Sequence, residues 1–273
     1  MSLVSEKSDD FGPQLKALIQ NLRTIDASSG PIDCSFLDWV TPLALLPLAA
    51  HIHAKKKLVS GLGSYLQTVR FPDGADQIGG FQTGQTYLPI ARFATKSIPH
   101  LEQFTNHFAQ LVLQSLGSAG EHLRNAWFYA IAELVTNIAE HSQSSLGWLH
   151  AQYWPAKGFL DVVVLDQGRG FRKTYEEAHG KTYTHQEAIR RALEGHSVKD
   201  DVERGKGLRT TKALVTQSPI NGKFLIISGN FGYYADPQKQ TWLNLGAWQW
   251  DGAIIAFRIN RVSKPVDIYP YVE

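Results

Sequence analysis

A single cysteine, Cys34, occurs in the 273 residues, so no internal disulfide can form and a reducing compartment is expected. Long apolar runs are also missing: none approaches the roughly 20 residues that a membrane-spanning helix needs, and no membrane association is expected. The opening stretch, MSLVSEKSDDFGPQ, has acidic and polar residues where a secretion leader needs a basic start and an apolar core. A cytoplasmic location is therefore expected. Charge of one sign is scarce, with 27 Lys and Arg against 25 Asp and Glu for a net +2, which gives no electrostatic reason to expect nucleic acid as a partner. Repeats and low-complexity segments are absent. What is present, 43% apolar and 19% charged residues, suits one or two domains with a buried core.

The apolar spacing in PQLKALIQNLRTI predicts a short helix over 13–25. GPIDCSFLDWVTPLALLPLAAHIHAKKKL reads as a strand, a turn closed by Pro42, and an apolar helix running into Lys55, Lys56 and Lys57, where a helix C-terminus favours cations. Residues 60–99 hold Gly, Pro and short strand-like pieces. Residues 1–29 are thus expected as a helix and linker, and 30–100 as a small α/β domain. From 101 the pattern changes to two helices with a Gly-rich break at 117–120. Two strands follow, joined by a turn at 155–158, the second ending in DQGRG. A polar stretch over 172–204 contains one helix, HQEAIRRALEG. GKGLRTTKALVTQS then predicts a helix opening on glycine, and GKFLIISGNFGYYA and GAIIAFRIN predict closing strands. These make up an expected second domain, 101–262, with a tail at 263–273. WLNLGAWQW, residues 242–250, reads either as core aromatics under a sheet or as a partner surface.

Three short stretches carry candidate chemistry. In AELVTNIAEHSQ, Glu133, Asn137 and His141 recur at every fourth position and share a helical strip about 80° wide. Such a strip is either a solvated face or a site, since a carboxylate can orient an attacking group and an amide oxygen can bind Mg²⁺ beside it. Asp166 ends the apolar run DVVVL; Asp before Gly commonly makes a turn, and a carboxylate at that place can also accept from an exocyclic amine such as that of adenine. Gly168 and Gly170 would let the backbone approach a flat ligand. Gly205 and Gly207 precede a helix, whose first N–H groups form an anion site that suits phosphate, although glycines there also serve as hinges. Neither the dinucleotide-binding glycine fingerprint nor the Walker phosphate loop is present.

A helix with E-x-x-x-N-x-x-x-H, a strand ending in D-x-G-x-G, a polar loop and then G-x-G-L opening a helix together resemble the ATP-binding site of the GHKL superfamily. That group includes gyrase, histidine kinases, mismatch-repair ATPases and the anti-sigma-factor serine kinases. The resemblance covers about 101–262 and implies an α+β fold, a two-layer α/β sandwich, with ATP and Mg²⁺ as its ligands. It assigns Glu133 as the base that activates water or a hydroxyl and Asn137 as the Mg²⁺ ligand. Asp166 becomes the adenine-reading carboxylate, with Gly168 and Gly170 bordering the base and His141 near the nucleotide. The segment 172–204 becomes the ATP lid, and Gly205, Lys206, Gly207 and Leu208 its phosphate-contacting end. Relatives often carry Gly-Thr where this chain has Gly252-Ala253, which removes one hydroxyl on the adenine side.

The segment 30–95 resembles a STAS-type domain, the fold of anti-sigma-factor antagonists. The family's Asp-Ser before the helix is replaced by Thr41-Pro42, so the acceptor serine is absent; an unrelated α/β cap is the other reading. The resemblance leaves two functions open. One is an Mg-dependent protein kinase or ATPase, with a protein partner or phosphoacceptor. The other is a nucleotide-gated interaction module. It also allows a homodimer.

Overall fold

In the computed structural model, residues 2–77, 84–96, 98–116, 118–196 and 207–262 are described. Leu15, Leu18, Leu22 and Ile25 form the buried stripe of α1 (Phe11–Ala27), which extends the expected helix by two residues at each end. β1 (Ile32–Asp33) and β2 (Val59–Ser60) pair in parallel, and α2 (Pro42–Ala54) connects them. Pro42 supplies the fixed φ that suits a first helical turn. Most of α2 is apolar on every side, and Leu43, Leu45, Leu46, Leu48 and Ile52 are all buried, as expected of a helix enclosed by other elements.

After the short α3 (Ser64–Thr68) come β3 (Tyr87–Ala94), α4 (Ile98–Leu116) and α5 (Ser118–His141). Helix α5 already begins at Ser118, so Gly120 lies inside it and not in a break, while Gly117 lies outside the described residues. β4 (Leu146–Trp154) and β5 (Phe159–Asp166) form the expected hairpin. The polar stretch that follows holds two helices, α6 (Gly170–His179) and α7 (His185–Glu194), where one was expected. Next are α8 (Gly207–Thr216), β6 (Lys223–Gly229), β7 (Phe231–Ala235), β8 (Gln240–Asn244) and β9 (Trp250–Asn260).

Strands β3 to β9 make one sheet in the order β3-β4-β5-β9-β6-β7-β8, antiparallel throughout. The fold is mixed α+β. Because side chains alternate across a strand, Leu160, Val162 and Val164 of β5 join a core with α4, α5, α7 and α8, while Val163 and Leu165 join a second core with α1 and α2. The expected two layers are thus joined by a third on the opposite sheet face. Residues from the 30–100 segment supply both that layer and β3, which pairs with β4. Cys34 is buried in the second core, where burial pushes its thiol up to about 11 and keeps it unreactive. Among the described residues, no helix is long and apolar enough to cross a membrane.

One ion pair anchors the second core. Arg258 of β9 donates to Asp161 of β5 from Nε at 2.7 Å and from a terminal nitrogen at 2.9 Å, with side chains only 5% and 4% exposed. The guanidinium also lies 3.5 Å from the Phe159 ring centroid and 5.8 Å from that of Phe11 on α1. Replacing Arg258 with Met is expected to cost about 3–5 kcal/mol, because it leaves Asp161 buried and unpaired. Urea unfolding checks this, and the double change Asp161→Leu/Arg258→Met should recover most of the loss. The exposed pairs Lys223–Asp10 and Lys157–Asp9, which also tie the start of α1 to the sheet, should contribute far less.

Candidate functional site

The buried face of α5 presents Trp127, Ile131, Leu134, Val135 and Ile138 to the helix-side core. Glu133, Asn137 and His141 lie beside that face and are all half-buried. The strip is thus neither a core stripe nor a fully solvated surface.

Its first member meets the third glycine-bearing stretch. A Cβ on Gly207 would lie 2.7 Å from both Cβ and Oε2 of Glu133, so only glycine lets α8 begin against this carboxylate. Leu208 then turns into the helix-side core and fixes the start of α8 there. Gly205 and Lys206 lie outside the described residues, as does the lid from 197 onward. The first part of the expected lid is helical. Thr184 and Glu187 form a reciprocal capping box at the start of α7, Gly195 ends it in a left-handed conformation, and Ala188, Ile189, Ala192 and Leu193 are buried.

Its last member meets DQGRG. Carbonyls at and just past the end of α5 receive hydrogen bonds from Arg169: Nε donates to His141 O at 2.6 Å and the backbone N to Ser142 O at 2.8 Å. The guanidinium also pairs with Glu177 and places positive charge where the helix dipole favours it. A Cβ on Gly168 would fall 1.9 Å from Ser142 O, and one on Gly170, at φ +69°, would fall 2.7 Å from Ser228 Oγ. Both glycines are therefore required by the protein's own packing, before any ligand is considered.

Asp166 is 4% exposed. Its Oδ1 accepts from Gly168 N at 2.8 Å, which closes the turn expected of Asp before Gly. Burial raises its carboxyl to about 6, against the lowering effect of hydrogen bonds from the Gly168 and Ala253 N–H groups. A carboxylate has lone pairs enough to make this turn and accept from a ligand as well.

Several residues around Asp166 carried no motif signal. Trp250 Nε1 donates to the Asp166 carbonyl at 2.9 Å. Ser228 Oγ donates to Gly252 O at 2.7 Å and accepts from Phe171 N at 3.2 Å, tying the start of α6 to β6 and β9. The only hint in the sequence was a hydroxyl at the end of the apolar run FLII.

The site residues thus gather at two places on one helix. Glu133, Gly207 and Leu208 stand at one, and His141, Asp166, Gly168 and Gly170 at the other, with Asn137 between them. Eight residues of helix separate Glu133 from His141, a rise of about 12 Å. Among the described residues, no group of three or more His, Cys, Asp or Glu could hold a metal ion. Mg²⁺ at Asn137 remains compatible with this donor set, because that ion keeps several waters and takes phosphate oxygens. No family model, curated protein or solved structure matches the chain.

Proposed function

We propose that the chain is an ATP-binding protein of the GHKL class that transfers or hydrolyses the γ-phosphate with Mg²⁺, in the manner of a regulatory serine/threonine kinase. The observation that carries this reading is the spacing along α5. A buried carboxylate that can accept from an amine lies near one end of a rise of about 12 Å, and a glycine-opened helix start lies at the other, a span on the scale of an extended nucleotide. In this reading Asp166 accepts from the adenine amine while Gly168 and Gly170 border the base. The start of α8, with Gly205 and Lys206 before it, faces the phosphates. Asn137 holds Mg²⁺, whose chemistry is to neutralise phosphate charge. Glu133 orients a water or hydroxyl for attack.

The same reading makes 30–100 a STAS-like layer that docks or senses and does not receive phosphate. Pro42, at the family's acceptor place, has no hydroxyl, and the Thr41 hydroxyl before it is buried, which supports that role. Calorimetric titration of the full chain with ATP and Mg²⁺, followed by incubation with γ-labelled ATP and proteins encoded beside it, tests the proposal. Saturable binding is expected, with label on a neighbour for a kinase or as free phosphate for an ATPase. Binding without either would favour the nucleotide-gated module, and absence of binding would overturn the whole reading.

A further inference from the structure

The two edges of the seven-stranded sheet differ. At β3 the chain closes its own edge: Ile90 N donates to Val69 O at 2.9 Å, Ala75 N to Ile90 O at 2.9 Å and Arg92 N to Ala75 O at 2.8 Å. At the far end, among the described residues, β8 pairs only with β7. Bonds from Asp236 N to Lys239 O and from Leu245 N to Asn230 O, both 2.9 Å, set the register of the β7–β8 hairpin. Backbone direction alternates along a strand, so Thr241 and Leu243 turn their N–H and C=O groups towards β7, whereas Gln240, Trp242 and Asn244 turn theirs outward. Among the described residues no other strand pairs with that outer row; its one hydrogen bond is a long one within β8, from Thr241 Oγ1 to Trp242 O at 3.5 Å, and a carbonyl has a second lone pair to offer.

Exposed edges are commonly blunted by charge, proline or a bulge. The β8 sequence, QTWLN, has no charge and no proline, and its pairing with β7 runs without a bulge. It is also held in place from both faces. Trp242 packs on the helix-side core and meets the Tyr233 ring edge-on at 5.0 Å, while Leu243 packs on the second core. Little further ordering is needed for another strand to add there.

The sequence fits itself. A two-fold axis through Trp242 sets Trp242 against Trp242 and Gln240 of one copy against Asn244 of the other. Every outward N–H then meets an outward C=O, neutral amides stand opposite neutral amides, and no like charges face each other.

We propose that β8 pairs antiparallel with β8 of a second copy of this chain, joining two sheets into one across a two-fold axis at Trp242. This assigns a partner to the WLNLGAWQW stretch and does not depend on the nucleotide reading.

Sedimentation velocity on the full chain tests the pairing and its register. The wild-type chain should sediment as a dimer. Gln240→Lys/Asn244→Lys and Gln240→Glu/Asn244→Glu should each sediment as a monomer, with far-UV circular dichroism unchanged. Mixing these two variants should restore a dimer, because every outer amide pair becomes Lys opposite Glu, and added salt should weaken it. A monomeric wild type, a lysine variant that stays as dimeric as wild type, or a mixture that stays monomeric would each overturn the proposal. The glutamate variant and the mixture keep the test decisive if one substitution perturbs the hairpin, where Gln240 Oε1 accepts from the Tyr233 hydroxyl.

Discussion

Glu133→Gln is expected to leave ATP binding intact while slowing γ-phosphate transfer or hydrolysis by about 10²–10⁴-fold, the range associated with loss of a positioned general base. The side chains are nearly the same size, and Gly207 leaves room for either one against the start of α8. Binding should hold or tighten, since the substitution removes a negative charge from the place where phosphate is proposed to sit. The lost carboxylate at the helix start should cost only about 0.3–1 kcal/mol of stability. Calorimetry measures the first effect and single-turnover release or transfer of labelled phosphate the second. Turnover equal to that of the wild type would remove Glu133 from the proposed chemistry.

Asp166→Asn should weaken ATP binding by about 10–100-fold, which corresponds to the 1–3 kcal/mol of a mismatched buried polar group. The amide oxygen can still accept from the Gly168 and Ala253 N–H groups, so the turn should persist. Its NH₂, however, would face a donor on the ligand. The wild type should also show a pH signature. Its carboxyl rises from 3.8 to about 6 on folding, and an amine donor binds the ionised form best, so affinity should fall as pH drops through about 6. The limit is about tenfold per unit below that point, and Asp166→Asn should lack this slope.

Stability moves the other way. A raised carboxyl pKa means that the folded state binds its proton more tightly, so this group favours folding at low pH and opposes it as pH rises from 3.8 to 6. At neutral pH the opposition amounts to about 3 kcal/mol, so the Asn variant should unfold at equal or higher urea although it binds ATP less well. Unchanged affinity in the variant would separate Asp166 from any nucleotide.

Much of the fold around the strip on α5 was legible because local signals agreed. Thr184, Glu187 and Gly195 mark both ends of α7, and GKGL predicts that α8 opens on glycine, with Gly207 found as its first residue and not just before it. DVVVLD reads as a strand covered on both faces, and β5 is buried along its whole length. Helix α6 was hidden for a physical reason: only Thr174 and Tyr175 are buried in it, too few to make an apolar period. Helix α2 was plain as a buried helix, but an all-apolar segment does not say what it is buried against. Its contact with β4 and β5 depends on the alternation of side chains in distant strands. The supports around Asp166, namely Trp250 and Ser228, lie far along the chain from it and meet it only through strand pairing.

The shared use of β5, β6 and β9 by both cores has a consequence for how the chain can be divided. Cutting before 101, where sequence character changes, would remove α1, α2 and β3 and leave Val163, Leu165, Leu225, Ile227 and Ile254 without a cover. The remaining fragment would present a sticky apolar plate, prone to aggregate before any nucleotide could be offered to it. The smallest workable unit for studying the site is thus one that keeps the amino-terminal helices.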